Sequence, residues 1–221
     1  MDDTPVESKS QARTLTTTSF AVLCVLALRE HSTYELTKQM RMSMHYLWPR
    51  AESNVYAEPK RLVEAGLAAA RAESTGRRSR TVYSITAAGR EALAAWLASP
   101  SGRQRYESEA VLKVLFAENG TLEDMLASIR AIAADAAEGL AHWQRVADRY
   151  EVGEGDYPER FAVSGLVARL LGEQQAATVR WAAWAEQVVS TWRTPAGPGA
   201  DWGVEAVRGT GETLPDRARV S

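Results

Sequence analysis

Three arginines within four residues give this 221-residue sequence its densest positive charge. They are Arg77, Arg78 and Arg80, in the segment Ser-Thr-Gly-Arg-Arg-Ser-Arg. A guanidinium group presents a planar fork of N–H donors that matches the oxygens of a phosphate. A turn that carries three such groups is suited to the backbone of a nucleic acid. The alternative is a turn that only faces water, as runs of charge usually do.

A second set of polar residues precedes the arginines and offers several kinds of hydrogen-bonding group. The candidate nucleic-acid contacts in this set are Tyr34, Arg50, Ser53, Asn54, Tyr56, Lys60 and Arg61. Lysine and arginine mostly bind phosphates, whereas serine, asparagine and tyrosine also reach base edges. We therefore expect Lys60, Arg61 and the arginine cluster to contact mainly phosphates. Ser53, Asn54 and Tyr56 would face bases or nearby backbone, and a core position is the alternative for Tyr56.

These side chains need a helix followed by a hairpin to position them. Pro49 fits the first position of a helix, where its missing N–H group costs nothing. Gly66 is suited to end that helix in a left-handed conformation. Pro59 lies between them and would remove one hydrogen bond, which predicts a kink or a late start of the helix. Residues 67–73 and 81–86 are then predicted strands, and the arginine cluster lies on the turn between them.

This order of elements is the outline of a winged helix-turn-helix, in which one helix enters the major groove and the wing lies on the DNA backbone. The sequence also resembles the PadR family of transcriptional regulators. The resemblance is carried by Asn54-Val55-Tyr56, Lys60 to Leu67, Gly76-Arg77-Arg78, Val82 to Thr86, and Gly89. It covers residues 17–98 strongly and the region after them loosely. It implies a DNA-binding winged head, a helical dimerisation domain after it, no cofactor and no enzymatic activity.

The sequence departs from the family pattern at two positions. Pro59 stands where most members have leucine or another apolar residue, and Thr33 stands where the family usually has glycine before a tyrosine. Pro59 would still fill the apolar side of the helix while it shapes the helix axis. The departure therefore bears on the register of base contacts and leaves the expected fold unchanged.

The distribution of charge along the chain favours a nucleic-acid-binding first half. The formal net charge of the whole chain is −2. Residues 38–90 include ten basic and four acidic residues, a net charge of +6, and residues 103–193 include ten basic and fourteen acidic residues, a net charge of −4. A basic half beside an acidic half is typical of a DNA-binding head on a body that does not bind DNA.

Other function classes find little support in the sequence. No apolar run is long enough for a membrane span, and the first ten residues lack the apolar core of a signal peptide. Cys24 is the single cysteine, expected to be a core residue rather than a redox sensor, so we expect a cytoplasmic protein. His31, His45 and His142 lack metal-ligand spacing, and phosphate loops and nucleophile motifs are absent. The alternative to a DNA-binding regulator is a protein-interaction module that uses a basic winged-helix head without specific DNA binding.

We predict a mostly α fold with a small β-hairpin wing, divided into four segments. These are a flexible N-terminus at 1–15, a winged helix-turn-helix domain at 16–98, a helical dimerisation and effector domain at 104–193, and a disordered tail at 194–221. Ser99-Pro100-Ser101-Gly102 marks the boundary between the two domains. The glycine- and proline-rich composition of the tail is the reason for predicting disorder there.

Three further helices and a linker are predicted in the head. Residues 19–30 form a helix that is apolar almost all round and must be buried on more than one side. Residues 34–40 form a second helix, capped by Ser32 or Thr33, and residues 41–47 are interpreted as an extended linker. Thr86 caps a third helix. The residues expected on its inner side are Leu93, Trp96 and Leu97.

Apolar residues at steps of three and four predict two long helices in the body, one after Thr121 and one after Pro158. Thr121 and Asp124 form a capping-box pattern at the start of the first. Two such helices rarely bury both faces within one chain. We therefore expect a dimer, with two winged heads about one helical turn apart on a pseudo-palindromic site.

Tryptophans in and before the body allow two interpretations. The first is that Trp143, Trp181 and Trp184 fill a core or an interface. The second is a pocket for a small planar aromatic effector, formed by these three residues and Trp96. The resemblance supports the second, because PadR-like proteins respond to phenolic acids and other planar compounds. A ligand there would change the separation of the two heads, and a dimeric repressor would be released from its operator.

Overall fold

The computed structural model describes residues 15–44, 46–48, 55–75, 78–104 and 106–209. The chain divides into two units, Met1–Arg103 and Gln104–Ser221. Helices predominate, and a three-stranded antiparallel sheet lies in the first unit. The predicted fold class, mostly helical with a small β wing, is confirmed.

The core of the first unit is built on α1, Thr17–Leu28. Thr16 caps this helix in a reciprocal capping box with Ser19, as the run of hydroxyl residues predicts. The helix has apolar residues on all sides and is buried accordingly. Its buried apolar residues are Ala21, Val22, Leu23, Val25 and Leu26. They form one cluster with side chains of α2 and of the sheet and with Val55 and Leu62.

Helix α2 extends from Thr33 to Met44 and is longer than the sequence predicts. Residues 41–44 are helical, so the predicted extended linker is wrong over that part. The side chain of Ser32 accepts a hydrogen bond from the backbone of Glu35, and the carboxylate of Glu35 accepts one from the backbone of Ser32. This capping box starts the helix firmly, and the apolar contacts of Met40 and Met44 with the core continue it through the methionine-rich segment.

Helix α3 extends from Glu58 to Glu64, and Pro59 lies in its first turn. Residues 55–57 form a turn, so Pro59 is near the start of α3 and not in the middle of it. Residues 50–54 lie outside the described residues, so a kink and a late start of the predicted helix both stay predictions. Pro49 lies outside the described residues. At the other end Gly66 has a φ of 73°, and its N–H group and that of Leu67 bond back to the carbonyls of Val63 and Leu62. The predicted left-handed end of the helix is therefore present.

The sheet has the strand order β1-β3-β2, with β1 at His31–Ser32, β2 at Ala68–Thr75 and β3 at Arg78–Ile85. The strand β1 is absent from the sequence prediction, because two residues are too few to show alternation. The β2–β3 ladder continues to the pair Thr75↔Arg78, so the hairpin strands are longer than predicted. Arg80 consequently lies within β3, opposite Glu73, and not on the turn.

Helix α4, Ala87–Ala98, follows the sheet and is capped by Thr86 as predicted. A Cβ atom at Gly89 would lie 2.1 Å from the carbonyl oxygen of Leu67, so only glycine permits this close approach of helix and strand. Trp96 is stacked on Phe20 of α1, with ring centroids 4.8 Å apart. Leu97 is 67% exposed, so its predicted inward position is wrong.

The second unit contains α5 at Glu109–Leu115, α6 at Leu122–Glu151 and α7 at Phe161–Val189, with α6 packed along α7. Short 3-10 turns lie at Ala117–Asn119 and Pro158–Arg160. The predicted capping box of Thr121 and Asp124 starts α6. The buried side of α6 matches the predicted apolar steps. Its buried members are Met125, Ile129, Ile132, Ala136 and Gly139.

The predicted disorder of the tail is wrong for Ala200–Arg208, which form helix α8. Trp202 of this helix lies beside Trp184 and Trp192, with ring centroids 6.3 and 5.1 Å away. Contacts of the half-buried Trp202 with these two rings oppose the entropy lost in ordering a segment rich in glycine and proline. In the part of the chain that the structure describes, no helix is both long and apolar enough to cross a membrane.

Candidate nucleic-acid interface

Helix α3 and the turn before it separate apolar residues from polar ones. Val55, Pro59 and Leu62 are buried against the core. Tyr56 is 63% exposed and Lys60 is also exposed. The outer surface of this segment therefore presents a phenol and an ammonium group to solvent, in the arrangement that a helix needs to enter a DNA groove.

Arg61 lies on the same helix but is held by a carboxylate. Its Nη1 atom is 2.9 Å from Oε2 of Glu58, a residue that is 2% exposed. The other carboxylate oxygen of Glu58 accepts a hydrogen bond from the hydroxyl of Ser19 in α1. A buried carboxylate is tolerated when it is paired and hydrogen-bonded in this way. The start of α3 is thus attached to α1 through one charged group.

The hairpin carries a network of exposed ion pairs. Arg80 contacts Glu35 at 3.1 Å and Glu73 at 2.6 Å, and Arg71 contacts Glu30 at 2.6 Å and Glu73 at 3.1 Å. The side-chain hydrogen bond from Arg80 is the main reason that the pKa of Glu73 is lowered. Single surface pairs contribute little to stability, but a network with shared partners orients its members. These pairs connect β2 and β3 to the start of α2.

Arg80 therefore lies within a strand and is paired with carboxylates, whereas the sequence predicts an arginine on the turn. Its guanidinium group has two carboxylate partners, and a phosphate would have to compete with them. Tyr34, next to Glu35 at the start of α2, is 77% exposed. Arg80 thus contacts the start of α2, whereas Arg61 is connected to α1 through Glu58.

The remaining predicted DNA contacts are outside the described part of the structure. Arg50, Ser53, Asn54 and Arg77 lie outside the described residues, and of Arg78 only the backbone, at the start of β3, is described. These five assignments stay predictions. Tyr83 of β3 is 4% exposed and belongs to the core.

The four tryptophans of the predicted effector pocket fall into separate environments. Trp96 belongs to the first unit and is stacked on Phe20. Trp181 and Trp184 pack on the buried cluster of the second unit, together with Trp192, which the prediction omits. Trp143 lies further along α6, beyond Gly139, and is in contact with His142. The structure therefore brings Trp181 and Trp184 into one cluster.

Comparison with known proteins identifies the two units separately. The family model for the transcriptional regulator PadR-like family matches residues 22–95, and the model for the virulence activator alpha C-terminal domain matches residues 107–190. The chain therefore contains a domain of the PadR-like family at residues 22–95. The PadR-like match covers most of α1, all of α2 and α3, the sheet and most of α4, and it includes every position of the predicted DNA contacts. A search of the curated proteins found no match.

Solved structures have the same fold as this PadR-like chain. Bacillus subtilis PadR in complex with operator DNA is 19% identical, with a TM-score of 0.66 over 79% of this chain and 99% of the other. The same protein in complex with p-coumaric acid is 18% identical, with a TM-score of 0.62 over 79% and 99%. The Vibrio cholerae virulence activator AphA is 24% identical, with a TM-score of 0.58 over 77% and 96%. The family and these structural neighbours are transcriptional regulators, not enzymes.

Sequence reasoning missed the carboxylates that position the arginines. The pattern Ser-x-x-Glu at Ser32 and Glu35 is a capping-box signature, and it could have identified Glu35. The position of Pro59 gives a weaker signal for Glu58, because a proline in the first helical turn places the residue before it at the helix start. The partnership of Glu58 with Ser19 spans 39 positions, and no local pattern reveals it.

The capping box at the start of α2 predicts a pH-dependent stability. Hydrogen bonds from Ser32, first from its backbone N–H, lower the pKa of Glu35, and Arg80 adds to this effect. A carboxyl with a lowered folded-state pKa stabilises the fold above its unfolded value, and this contribution is lost as the pH falls through the folded value. The stability lost in Glu35→Gln should therefore be full near pH 7 and should diminish only as the pH falls below the ordinary pKa of a glutamate, about 4.3.

Chemical denaturation followed by circular dichroism at several pH values measures this difference in the free energy of unfolding. Glu64→Gln, which removes an exposed carboxylate from α3, is the control for loss of one negative charge. A deficit of Glu35→Gln that stays constant down to about pH 3 would show that the ionised carboxylate is not what stabilises the start of α2.

Proposed function

We propose that this PadR-like protein is a sequence-specific DNA-binding repressor that acts as a homodimer in the cytoplasm. The observation that carries the proposal is the exposed polar surface of α3, with Tyr56 and Lys60, in the unit whose sequence has an excess of basic residues. An operator complex of a protein with the same fold supports it. A regulator of transcription must lie where the chromosome is, which supports the cytoplasm.

The contacts divide between phosphates and bases. Lys60, Arg61, Arg77 and Arg78 supply phosphate contacts, which position the head without reading sequence. Tyr56 and the neighbouring Ser53 and Asn54 face base edges or nearby backbone, and Tyr34 and Arg50 extend this surface. Arg80 reaches a phosphate only when it exchanges Glu35 or Glu73 for it.

The second candidate function is a protein-interaction module whose basic head binds an acidic partner protein. The ion-pair network of Arg71 and Arg80 with carboxylates shows that this head accommodates acidic side chains. Titration of duplex DNA at rising salt discriminates between the two functions. A DNA-binding regulator loses affinity steeply as counterions compete for the phosphates, and it prefers one sequence. An interaction module lacks that preference.

Exposed apolar side chains on the second unit support the homodimer. On α7 they include Val163, Leu166 and Leu170, and on α5 and just after it Leu112, Leu115 and Phe116. Leu166 is 75% exposed in the single chain. Large apolar side chains exposed in this number are a liability in a monomer and are typical of an interface. A second copy of the chain would cover it and set the spacing of two heads.

The proposal also includes a small planar aromatic effector. The complex of a protein of this fold with p-coumaric acid supports a planar phenolic ligand. Within the second unit, the cluster of Trp181 and Trp184 with Met125 and Ile129 offers flat apolar surfaces for such a ring. A ligand that binds the DNA-incompetent state better by about 1.4 kcal/mol reduces operator affinity about ten-fold.

Replacing Arg77 and Arg78 by alanine should weaken binding to operator and to unrelated DNA alike. Each lost phosphate contact should make the dependence of log affinity on log salt less steep by about 0.9. Fluorescence anisotropy with labelled duplexes at several salt concentrations measures both. Arg71→Ala is the matched control, because this wing arginine already has Glu30 and Glu73 as partners and its loss should leave the slope unchanged. An effect on only one sequence would contradict the phosphate assignment.

Sedimentation equilibrium at micromolar concentration should give the mass of two chains. Substitution of Leu166 and Leu170 by glutamate should reduce the mass to one chain, because two charges would be placed in an apolar interface. Val152→Glu, at an exposed position after α6, should leave the dimer intact. A wild-type protein with the mass of a single chain would refute the homodimer.

Titration with p-coumaric acid and related planar phenolic acids should quench tryptophan fluorescence and reduce operator affinity at the same concentrations. Trp181→Phe together with Trp184→Phe should remove most of the quenching, while Trp96→Phe should retain it, because Trp96 lies in the other unit. If no compound quenches the fluorescence, or if quenching leaves operator affinity unchanged, the effector hypothesis fails and a repressor without an effector remains.

A further inference from the structure

A carboxyl side chain is buried at the first turn of α3. Glu58 is 2% exposed, although it lies on α3, whose outer side faces solvent. Its Oε1 atom accepts a hydrogen bond from the hydroxyl of Ser19, and its Oε2 atom accepts one from Nη1 of Arg61 at 2.9 Å. Both oxygens therefore have a partner, which is the condition under which a carboxylate can leave water.

The partner on α1 is itself fixed. The Ser19 hydroxyl oxygen lies 2.9 Å from the backbone nitrogen of Thr16, whose N–H donates to it, and the Ser19 N–H donates to the side chain of Thr16 at 3.2 Å. Ser19 is the third residue of α1, where the capping box holds it. The hydrogen bond from Ser19 therefore fixes Glu58 relative to the start of α1, the central helix of the unit.

The partner on α3 is one of the expected DNA contacts. The side chain of Arg61 is 38% exposed, so it lies between the buried carboxylate and the solvent. A guanidinium group has five N–H donors in a rigid plane. The bond to Glu58 uses one end of that plane, so the orientation of the other donors is set by Glu58. An arginine oriented beforehand loses less rotational freedom when it binds a phosphate than one that is free in water.

We infer that Glu58 is a positioning residue for operator binding. It acts through Arg61, whose guanidinium group it orients toward DNA, and it attaches the start of α3 to α1 through Ser19. The inference rests on the proposed DNA-binding function. It gives the buried carboxylate a role in recognition that its charge alone would oppose, because a negative group beside phosphates repels them.

The direction in which operator affinity changes distinguishes positioning of Arg61 by Glu58 from repulsion of DNA by the charge of Glu58. If Glu58 influenced DNA only through its charge, Glu58→Gln would bind operator more tightly. If Glu58 positions Arg61, the same substitution should weaken operator binding about ten-fold, within the usual range for coupled neighbours. Glu64→Gln removes a carboxylate from the exposed side of the same helix. It is the matched control, and it should leave operator affinity unchanged or slightly stronger.

A double-mutant cycle on the full-length protein tests the route through Arg61. Operator affinity is measured for the wild type, Glu58→Gln, Arg61→Ala and the double variant, with thermal unfolding by circular dichroism to check the fold. Each single substitution should weaken binding, and Glu58→Gln should cause no further loss once Arg61 is absent. If Glu58→Gln does not fold, Ser19→Ala takes its place in the cycle, because it removes only the hydroxyl that holds the carboxylate.

The outcomes are distinct. Full additivity of the two substitutions, or tighter binding by Glu58→Gln, would overturn the positioning role. Either result would leave the proposed DNA-binding function unaffected. A wild-type protein that binds no duplex DNA, including its own promoter region and genomic fragments, would overturn the proposed function and this inference with it. Non-additive losses with normal thermal unfolding would support both.

Discussion

The burial of α1 is the constraint on which the amino-terminal unit depends. Val22 and Leu23 are fully buried, and the helix contacts α2, α3, α4 and β3. Burial of each such side chain stabilises the fold by about 1.5–3 kcal/mol. Helix α3 has only seven residues, too few to be stable by itself in water. Its geometry is therefore that of its docking on α1, and the surface that it offers to DNA is set by that docking.

Apolar contacts alone fix this docking incompletely, because they are not directional. The hydrogen bonds of Glu58 to Ser19 and Arg61 are directional, and they constrain how α3 is rotated on α1. The exposed ion pairs of Arg80 with Glu35 and Glu73 do the same for the hairpin, at lower cost because their groups remain in water. Buried and exposed carboxylates thus position the two parts of the head that are expected to contact DNA.

Patterns within a short stretch of sequence predicted several helix ends correctly, whereas contacts between distant residues leave no such pattern. The capping residues Thr86 and Thr121 and the left-handed Gly66 act within one helical turn, so their roles could be recognised locally. The extension of α2 into the predicted linker, the helix in the tail around Trp202 and the burial of Glu58 depend on partners far along the chain. Tertiary contacts override local preference at such positions.

Counting basic residues overstates the charge that this head offers to DNA. Arg61, Arg71 and Arg80 each contact a carboxylate within the same unit, so part of the net charge of residues 38–90 is already neutralised in pairs. A phosphate that replaces Glu35 or Glu73 at Arg80 exchanges one exposed pair for another and gains little, because both lie in water. Arg80 therefore connects the hairpin to α2, and Arg71 connects it to Glu30. The salt dependence of binding should therefore be weaker than ten unpaired cations would give.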